Sequence, residues 1–225
     1  MKKARYIVIE GADGIGKSTQ VSKLSNYLRN KGYKVLETKE PGTPHIPATV
    51  ELRKFVLDAQ YADIMTPLSR ELITQTIRSI HMEKLIIPAI EECDFIVQDR
   101  GVLSGICYAA ALGHDIDWLE EISIKVNKPY LAKYTKGANT LEGLYDDIIL
   151  LKGNTQNTLE RAINCKKEYE AGDFIESQGT SFQEKISSYM EELSCYFGNQ
   201  YVSIIDTDNN DIDEVFSKVI NKLNI

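Results

Sequence analysis

Residues 11–18 read Gly11-Ala12-Asp13-Gly14-Ile15-Gly16-Lys17-Ser18, the full pattern G-x-x-x-x-G-K-[ST]. The pattern follows the apolar run Tyr6-Ile7-Val8-Ile9, and Val21, Leu24 and Leu28 recur after it at helical spacing. Strand, glycine loop and helix thus stand in the order that a phosphate-binding loop requires. The glycines let backbone N–H groups converge on phosphate oxygens, and the helix N-terminus adds partial positive charge. Lys17 is expected to reach the outer phosphates and the Ser18 hydroxyl to hold Mg2+. Residues Gly11 to Ser18, with Thr19, form the expected ATP-binding set.

The remainder of the chain alternates in the same sense. Strands are expected over 33–38, 95–98, 147–151 and 201–205. Helices are expected over 49–57, 68–92 (kinked or restarted at Pro88), 103–111, 156–170 and 181–197. A terminal helix shows Ile212, Val215, Phe216, Val219, Ile220 and Leu223 as one apolar stripe. The alternation predicts an α/β domain with a five-stranded parallel sheet and helices on both faces. Pro129, Gly137 and Gly143 mark 128–144 as an irregular insertion. Ligands in this architecture sit beyond the carboxyl ends of the strands. The glycine loop, the Glu40-Pro41 turn and Asp99-Arg100 all fall at that edge.

At 225 residues and 43% hydrophobic, the chain can bury the core of one enzyme-sized domain. A net charge of −7 argues against a nucleic-acid or anionic-membrane surface, because phosphate backbones attract positive patches. Cys93, Cys107, Cys165 and Cys195 lie far apart, without the spacing of a zinc site or a disulfide framework. No apolar run approaches membrane-spanning length and residues 1–10 read as a strand entrance, so the cytoplasm is the expected compartment.

A phosphate loop alone suits NTPases, kinases and nucleotide sensors alike. Asp99-Arg100, at the end of the strand Phe95 to Gln98, narrows the field. A carboxylate there can bind Mg2+, while the neighbouring guanidinium clamps a second phosphate. Two phosphates facing each other across one metal is the layout of phosphoryl transfer between nucleotides.

At these residues the sequence resembles the thymidylate kinase family of P-loop NTPase fold, over nearly the whole chain. The run I-V-I-E-G-A-D-G-I-G-K-S-T-Q is similar to the family's first strand and phosphate loop. Lys39-Glu40-Pro41-Gly42-Thr43 resembles its R-E-P-G turn, and Leu52-Arg53 with Val56-Leu57-Asp58 the helix that follows. Arg78 matches an arginine that faces the nucleobase. Asp99-Arg100-Gly101-Val102-Leu103-Ser104-Gly105 with Tyr108 resembles the D-R-Y/H-x-x-S-x-x-A-Y/F segment. Leu159-Glu160-Arg161-Ala162 and Asp173-Phe174-Ile175-Glu176 resemble a mobile lid at about 160–180, and the last strand ends at Asp206.

The resemblance implies a role for each matching residue. Asp13 accepts a hydrogen bond from the 3′-hydroxyl of the acceptor sugar. Arg100 binds the acceptor phosphate, with Arg53 and Lys39 beside it. Tyr108 packs under the sugar and excludes a 2′-hydroxyl, while Arg78 and Ser104 address the base edge. Pro41, Thr74 and Gly105 complete the expected substrate wall. Ser18 and Asp99 are the expected metal-binding residues, and Lys17, Asp99, Arg100 and Arg161 the catalytic ones. The implied reaction is ATP-dependent phosphorylation of a pyrimidine deoxynucleoside monophosphate, dTMP or a dUMP with or without a 5-substituent, by a cytoplasmic homodimer. A P-loop kinase of a nucleoside or another small acceptor, and a nucleotide-binding regulator without turnover, are the alternatives. Four departures stand out. Gly14 occupies a loop position where some members carry arginine. Phe174 follows the lid Asp173 where others have arginine, leaving Arg161, Lys166 and Lys167 as lid cations, of which arginine alone offers a bidentate fork. Thr74 stands where the family has a base-stacking aromatic. Tyr145-Asp146 also replaces the usual proline before the fourth strand.

Overall fold

The structure is a computed structural model that describes residues 3–135, 137–155, 158, 169 and 172–225. Strands β1 (Arg5–Gly11), β2 (Val35–Lys39), β3 (Phe95–Asp99), β4 (Asp147–Lys152) and β5 (Val202–Asp206) pair in parallel in the order β2-β3-β1-β4-β5. Side chains alternate across the sheet with period two. Tyr6 and Val8 therefore enter one core, while Ile7 and Ile9 enter the other. Helices α1 (Lys17–Asn30), α2 (Pro47–Leu57), α3 (Pro67–His81), α4 (Ile87–Glu92), α5 (Val102–Ala111), α6 (Ile116–Tyr134), α7 (Thr180–Leu193) and α8 (Ile212–Leu223) surround it. Helices α5, α6 and α7 cover the Tyr6 face through Leu103, Leu119 and Ile186, and α1 and α8 cover the Ile7 face through Leu24 and Val219. The expected α/β sheet, with both faces covered, is the one observed.

The helix expected over 68–92 is two helices. α3 ends at His81, residues 82–86 form one wide π-type turn, and α4 carries Pro88 in its first turn. Proline has no N–H to donate, and the wide turn absorbs that missing bond.

The insertion expected at 128–144 is corrected. Residues up to Tyr134 belong to the nineteen-residue α6, with Pro129 inside it, and the irregular stretch begins at Thr135. Asp115 caps α6 by accepting from the Trp118 N–H (2.9 Å), and Leu119, Tyr130 and Leu131 bury its inner face. Packing outweighs the cost of one internal proline. The chain then returns to β4 through Tyr145-Asp146, and this departure from the family pattern has a structural use. The Tyr145 hydroxyl accepts from the Val102 N–H (3.0 Å) at the start of α5, and the Asp146 carboxylate from the Tyr6 N–H (2.8 Å) in β1.

The helix expected over 156–170, with Arg161, Lys166 and Lys167, falls almost wholly outside the described residues. Residues 172–178 lie against the end of α2: Ala59 N–H donates to the Gly172 carbonyl (3.0 Å) and Phe174 N–H to the Leu57 carbonyl (2.7 Å). Among the described residues no helix is long and apolar enough to cross a membrane.

Candidate active site

The sheet register assembles the site. Lys39 at the end of β2 pairs with Asp99 at the end of β3, and Asp99 pairs with Ile9 just before the glycine loop. The loop leaves β1 at Gly11, whose φ of 144° suits glycine, and a Cβ there would stand 2.6 Å from the Leu151 carbonyl oxygen. Gly16, with φ 100°, delivers the chain into α1 and leaves its first N–H groups facing the loop. Lys17 is buried and its Nζ donates to the Ala12 carbonyl (2.6 Å), which holds the ammonium over the loop. The Ser18 hydroxyl donates to Asp99 Oδ2. The two residues expected to hold Mg2+ are therefore in direct contact.

Arg100 has a φ of 62°, a left-handed conformation that costs a non-glycine residue about 1–3 kcal/mol. The turn folds its guanidinium back over the loop. Nη2 donates to Asp13 Oδ1 (2.6 Å), and Nη1 to the Gly11 carbonyl (2.9 Å) and Ser104 Oγ (3.0 Å). Burial works against the Arg100 charge, but Asp13, Tyr108, Asp99 and Glu10 outweigh it and raise its pKa further. The Tyr108 hydroxyl donates to Asp13 Oδ2 (2.7 Å). Asp13 of the glycine loop and Arg100, Ser104 and Tyr108 of the segment after β3 are thus one network.

Glu10 anchors that network and was not legible as a site residue. It has no solvent exposure. Its Oε1 accepts from the Gly101 N–H (2.8 Å) and the Ser104 N–H (3.2 Å), and Oε2 from the Ser104 hydroxyl. Burial pushes its carboxyl above the usual carboxylate range, while the Ser104 hydroxyl and Arg100 oppose the shift. The Ser104 proton is thereby committed to Glu10, so toward a base Ser104 offers acceptor capacity. The only sequence signal for Glu10 was its position ahead of Gly11.

Two clefts meet at Arg53 and Arg100. The first, about 840 Å³ with its open mouth, is lined by Asp13, Pro41, Thr74, Arg78, Ser104, Gly105 and Tyr108, all expected at the acceptor, and also by Arg70, Glu71 and Asp173. The second is lined by residues 14–20, Lys39 and Asp99, by Thr207, Asn210 and Asp211 on the loop into α8, and by the first turn of α8. Glu40, Arg53 and Arg100 line both. Arg53 Nη1 donates to the Pro41 carbonyl (2.9 Å), fixing it at this junction.

In the back wall of the first cleft, Arg78 Nε donates to Glu40 Oε2 (2.9 Å) and His81 Nδ1 pairs with Glu40 Oε1 (3.0 Å), all three residues being buried. Burial alone would raise the Glu40 carboxyl; the Arg78 charge and the His81 hydrogen bond reverse this and bring it to about 2. Arg78 Nη1 has no partner. The Thr74 hydroxyl donates to the Arg70 carbonyl of its own helix (3.0 Å). Tyr108 is the one aromatic lining this cleft among the described residues. Tyr61, beside Phe55, and Tyr130, packed on Tyr6 in the core, do not reach it.

A family model described as Thymidylate kinase matches residues 9–219. The thymidylate kinase of Caldicellulosiruptor saccharolyticus is 31% identical over 218 residues, covering 96% of this chain and 94% of that protein. The thymidylate kinase of Mesoplasma florum is 28% identical over 214 residues, covering 95% and 92%. The crystal structure of thymidylate kinase from Ehrlichia chaffeensis shares the fold, with a TM-score of 0.71 at 20% identity over 98% of this chain and 99% of that one.

Proposed function

The chain belongs to the thymidylate kinase family, whose reaction is ATP-dependent phosphorylation of dTMP, and on that premise we propose how its own residues divide the work and which acceptors it takes. ATP occupies the cleft along Gly11 to Thr19, and the nucleoside monophosphate the cleft of Thr74, Arg78 and Tyr108. The observation that carries this reading is the shared wall: Arg53 and Arg100 line both clefts, so one pair of guanidinium groups faces both the donor and the acceptor phosphates.

Ser18 and Asp99 fit Mg2+, since both offer oxygen and they already touch. Mg2+ is commonly held by one or two protein oxygens together with substrate phosphates and water, and Ser18 with Asp99 supplies that protein share. Held by Ser18 and Asp99, Mg2+ would supply charge neutralisation on the phosphates. Lys17 supplies charge to the transferred phosphoryl oxygens, and Arg100, held by Asp13, turns its fork to the acceptor phosphate. No general base is needed, because the acceptor phosphate is already an anion at neutral pH. Positioning and charge neutralisation carry the rate. Of the expected lid, Asp173 and Ile175 line the acceptor cleft, and residues 159–168, 170 and 171 lie outside the described residues.

Thr74 in place of an aromatic widens the acceptor range to dUMP and 5-substituted dUMP. The exposed apolar side chains Phe55, Ile64, Leu68 and Leu72 on and beside α2 and α3 supply the face of a homodimer. The three described cysteines are free thiols, as suits a cytoplasmic enzyme. A coupled ADP-release assay over nucleosides and nucleoside monophosphates tests the assignment. Turnover of dTMP, dUMP and 5-substituted dUMP without turnover of thymidine is expected; turnover of the nucleoside alone would reverse the reading of the acceptor cleft.

A further inference from the structure

Arg70 is buried, 2% exposed, on the wall of the acceptor cleft. Its Nη1 donates to the Val56 carbonyl and, at 3.4 Å, to that of Phe55. The Phe174 ring covers one face of the guanidinium, 3.8 Å from Cζ to the ring centroid. One edge and one face are therefore fixed, by α2 and by the segment docked against its end. The remaining edge, Nε with Nη2, has neither solvent nor a hydrogen-bond partner. Arginine cannot relieve this by losing its proton. Two parallel donors on one buried edge are the geometry that receives oxygen acceptors, and buried donors are seldom left unpaired.

Arg70, Thr74 and Arg78 follow one another at four-residue spacing on one side of α3, about 6 Å of helix axis per step. A pyrimidine ring that places its own edge at Arg78 does not also span the two turns to Arg70. What reaches Arg70 must project from the ring. The sugar occupies N1, and O2, N3 and O4 are the ring's own edge; of the two remaining carbons C6 lies beside the sugar, which leaves C5 as the point of attachment. Thr74, between the two arginines, is small and has its hydroxyl turned to the Arg70 carbonyl. Glu71 and Asp173 line the same cleft. Asp173 offsets the Arg70 charge and Glu71 faces that of Arg78, so no excess positive charge is left for an anionic substituent and a neutral one is favoured.

We propose that Arg70 is a specificity-determining residue and that its Nε–Nη2 edge binds a neutral oxygen-bearing 5-substituent of the acceptor pyrimidine, of the hydroxymethyl or formyl class. The inference rests on the reading above that the acceptor range extends to 5-substituted dUMP, and it names what recognises the substituent.

The test is kcat/KM for dTMP, dUMP, 5-hydroxymethyl-dUMP, 5-formyl-dUMP and 5-carboxy-dUMP, with wild type, Arg70→Met and Arg70→Lys. In wild type the hydroxymethyl and formyl compounds should exceed both dUMP and 5-carboxy-dUMP by tenfold or more. Arg70→Met should lower kcat/KM for these two at least tenfold more than for dTMP, and Arg70→Lys, which keeps the charge and loses the fork, should not restore the ratio. Parallel loss on dTMP and the substituted acceptors would assign Arg70 a structural role and overturn the proposal. If Arg70→Met does not fold by circular dichroism, the ratio in Arg70→Lys decides alone. Wild type that uses 5-hydroxymethyl-dUMP with a ratio indifferent to residue 70 defeats the Arg70 inference and leaves the wider acceptor range standing. Wild type that turns over dTMP but refuses every substituted dUMP defeats both.

Discussion

Gly105 and Arg78 are fitted to each other: a Cβ at residue 105 would overlap Arg78 Nη2. Residue 105 lies on α5 and Arg78 on α3, so the absence of a side chain on one helix makes room for the buried fork of the other. The same guanidinium is held from behind by Glu40.

Gly105→Ala should therefore damage acceptor binding while leaving the helix sound. Helix propensity alone favours alanine over glycine by about 1 kcal/mol. Displacing Arg78 costs a charge-assisted hydrogen bond of about 1.5–3 kcal/mol. We expect kcat/KM for dTMP to fall about ten- to a hundredfold, with the KM for ATP within twofold of wild type. An ATP defect of equal size would place the effect in the fold and not at Arg78.

Glu40 makes the acid side of stability specific. Its folded pKa, about 2, lies below the ordinary carboxylate value, because Arg78 and His81 overcome the effect of burial. A depressed carboxylate contributes stability that is present above the unfolded pKa and lost as pH falls through the folded one. On this group's account, stability is full above about pH 5 and declines toward pH 2, by on the order of 3 kcal/mol. Glu10, raised by burial, works in the opposite direction: it favours the fold at low pH and loses that contribution as pH rises through its folded pKa. Urea unfolding at pH 7, 5, 4 and 3 measures the balance. Glu40→Gln should be destabilised at pH 7, because the Arg78 charge is left unpaired, and should lose less further stability between pH 5 and 3 than wild type. Parallel curves for the two proteins would remove Glu40 as the source.

These contrasts show what was legible in the sequence. The strand–loop–helix at Gly11 to Ser18 and the pair Asp99-Arg100 are local patterns whose neighbours in sequence are also their neighbours in space. Residues such as Glu10 and Arg70 carry no such signal. Glu10 matters because the start of α5 brings Gly101 and Ser104 over it, and Arg70 because Phe174, far away in sequence, lies on its face. The end of helix α6 differs from the expected insertion, which Pro129, Gly137 and Gly143 marked, because packing of Leu119, Tyr130 and Leu131 against the core overrode local preference. The lid cation expected at Arg161 lies outside the described residues.

Lys17→Ala should leave unfolding unchanged within about 1 kcal/mol and cut turnover a hundred- to a thousandfold. The ammonium is already fixed over the loop by the Ala12 carbonyl. A preorganised charge of this kind contributes about 3–4 kcal/mol in the transition state. Turnover within a few-fold of wild type would take this loop out of the chemistry.

Arg100→Ala should weaken dTMP far more than ATP. Its fork is tied to Asp13, and Asp13 to Tyr108, on the acceptor side of the loop. Loss of the guanidinium also removes the ion pair of the partly buried Asp13 carboxylate. Calorimetry with each nucleotide separately reads the split; collapse of ATP affinity with dTMP binding intact would mean that the two clefts have been exchanged.

Thr74→Phe tests the base wall from the other direction. Tyr108 is the only aromatic lining the acceptor cleft among the described residues, and neither Tyr61 nor Tyr130 reaches it. A base in this cleft therefore lacks a stacking contact of about 1–3 kcal/mol on the α3 side. Phenylalanine at 74 sits one helical turn from Arg78 and one from Arg70, so it can cover the ring without removing the hydrogen-bonding groups on either side. We expect the KM for dTMP to fall about five- to fiftyfold and the preference for dTMP over dUMP to rise, since a stacked ring is held where its 5-methyl is felt. The same bulk closes the path from C5 toward Arg70, so kcat/KM for 5-hydroxymethyl-dUMP should drop relative to dTMP. In wild type the dTMP preference over dUMP should stay well below a hundredfold. A wild-type preference at or above that level, or a Thr74→Phe enzyme with unchanged ratios, would show that residue 74 does not set the width of the pocket.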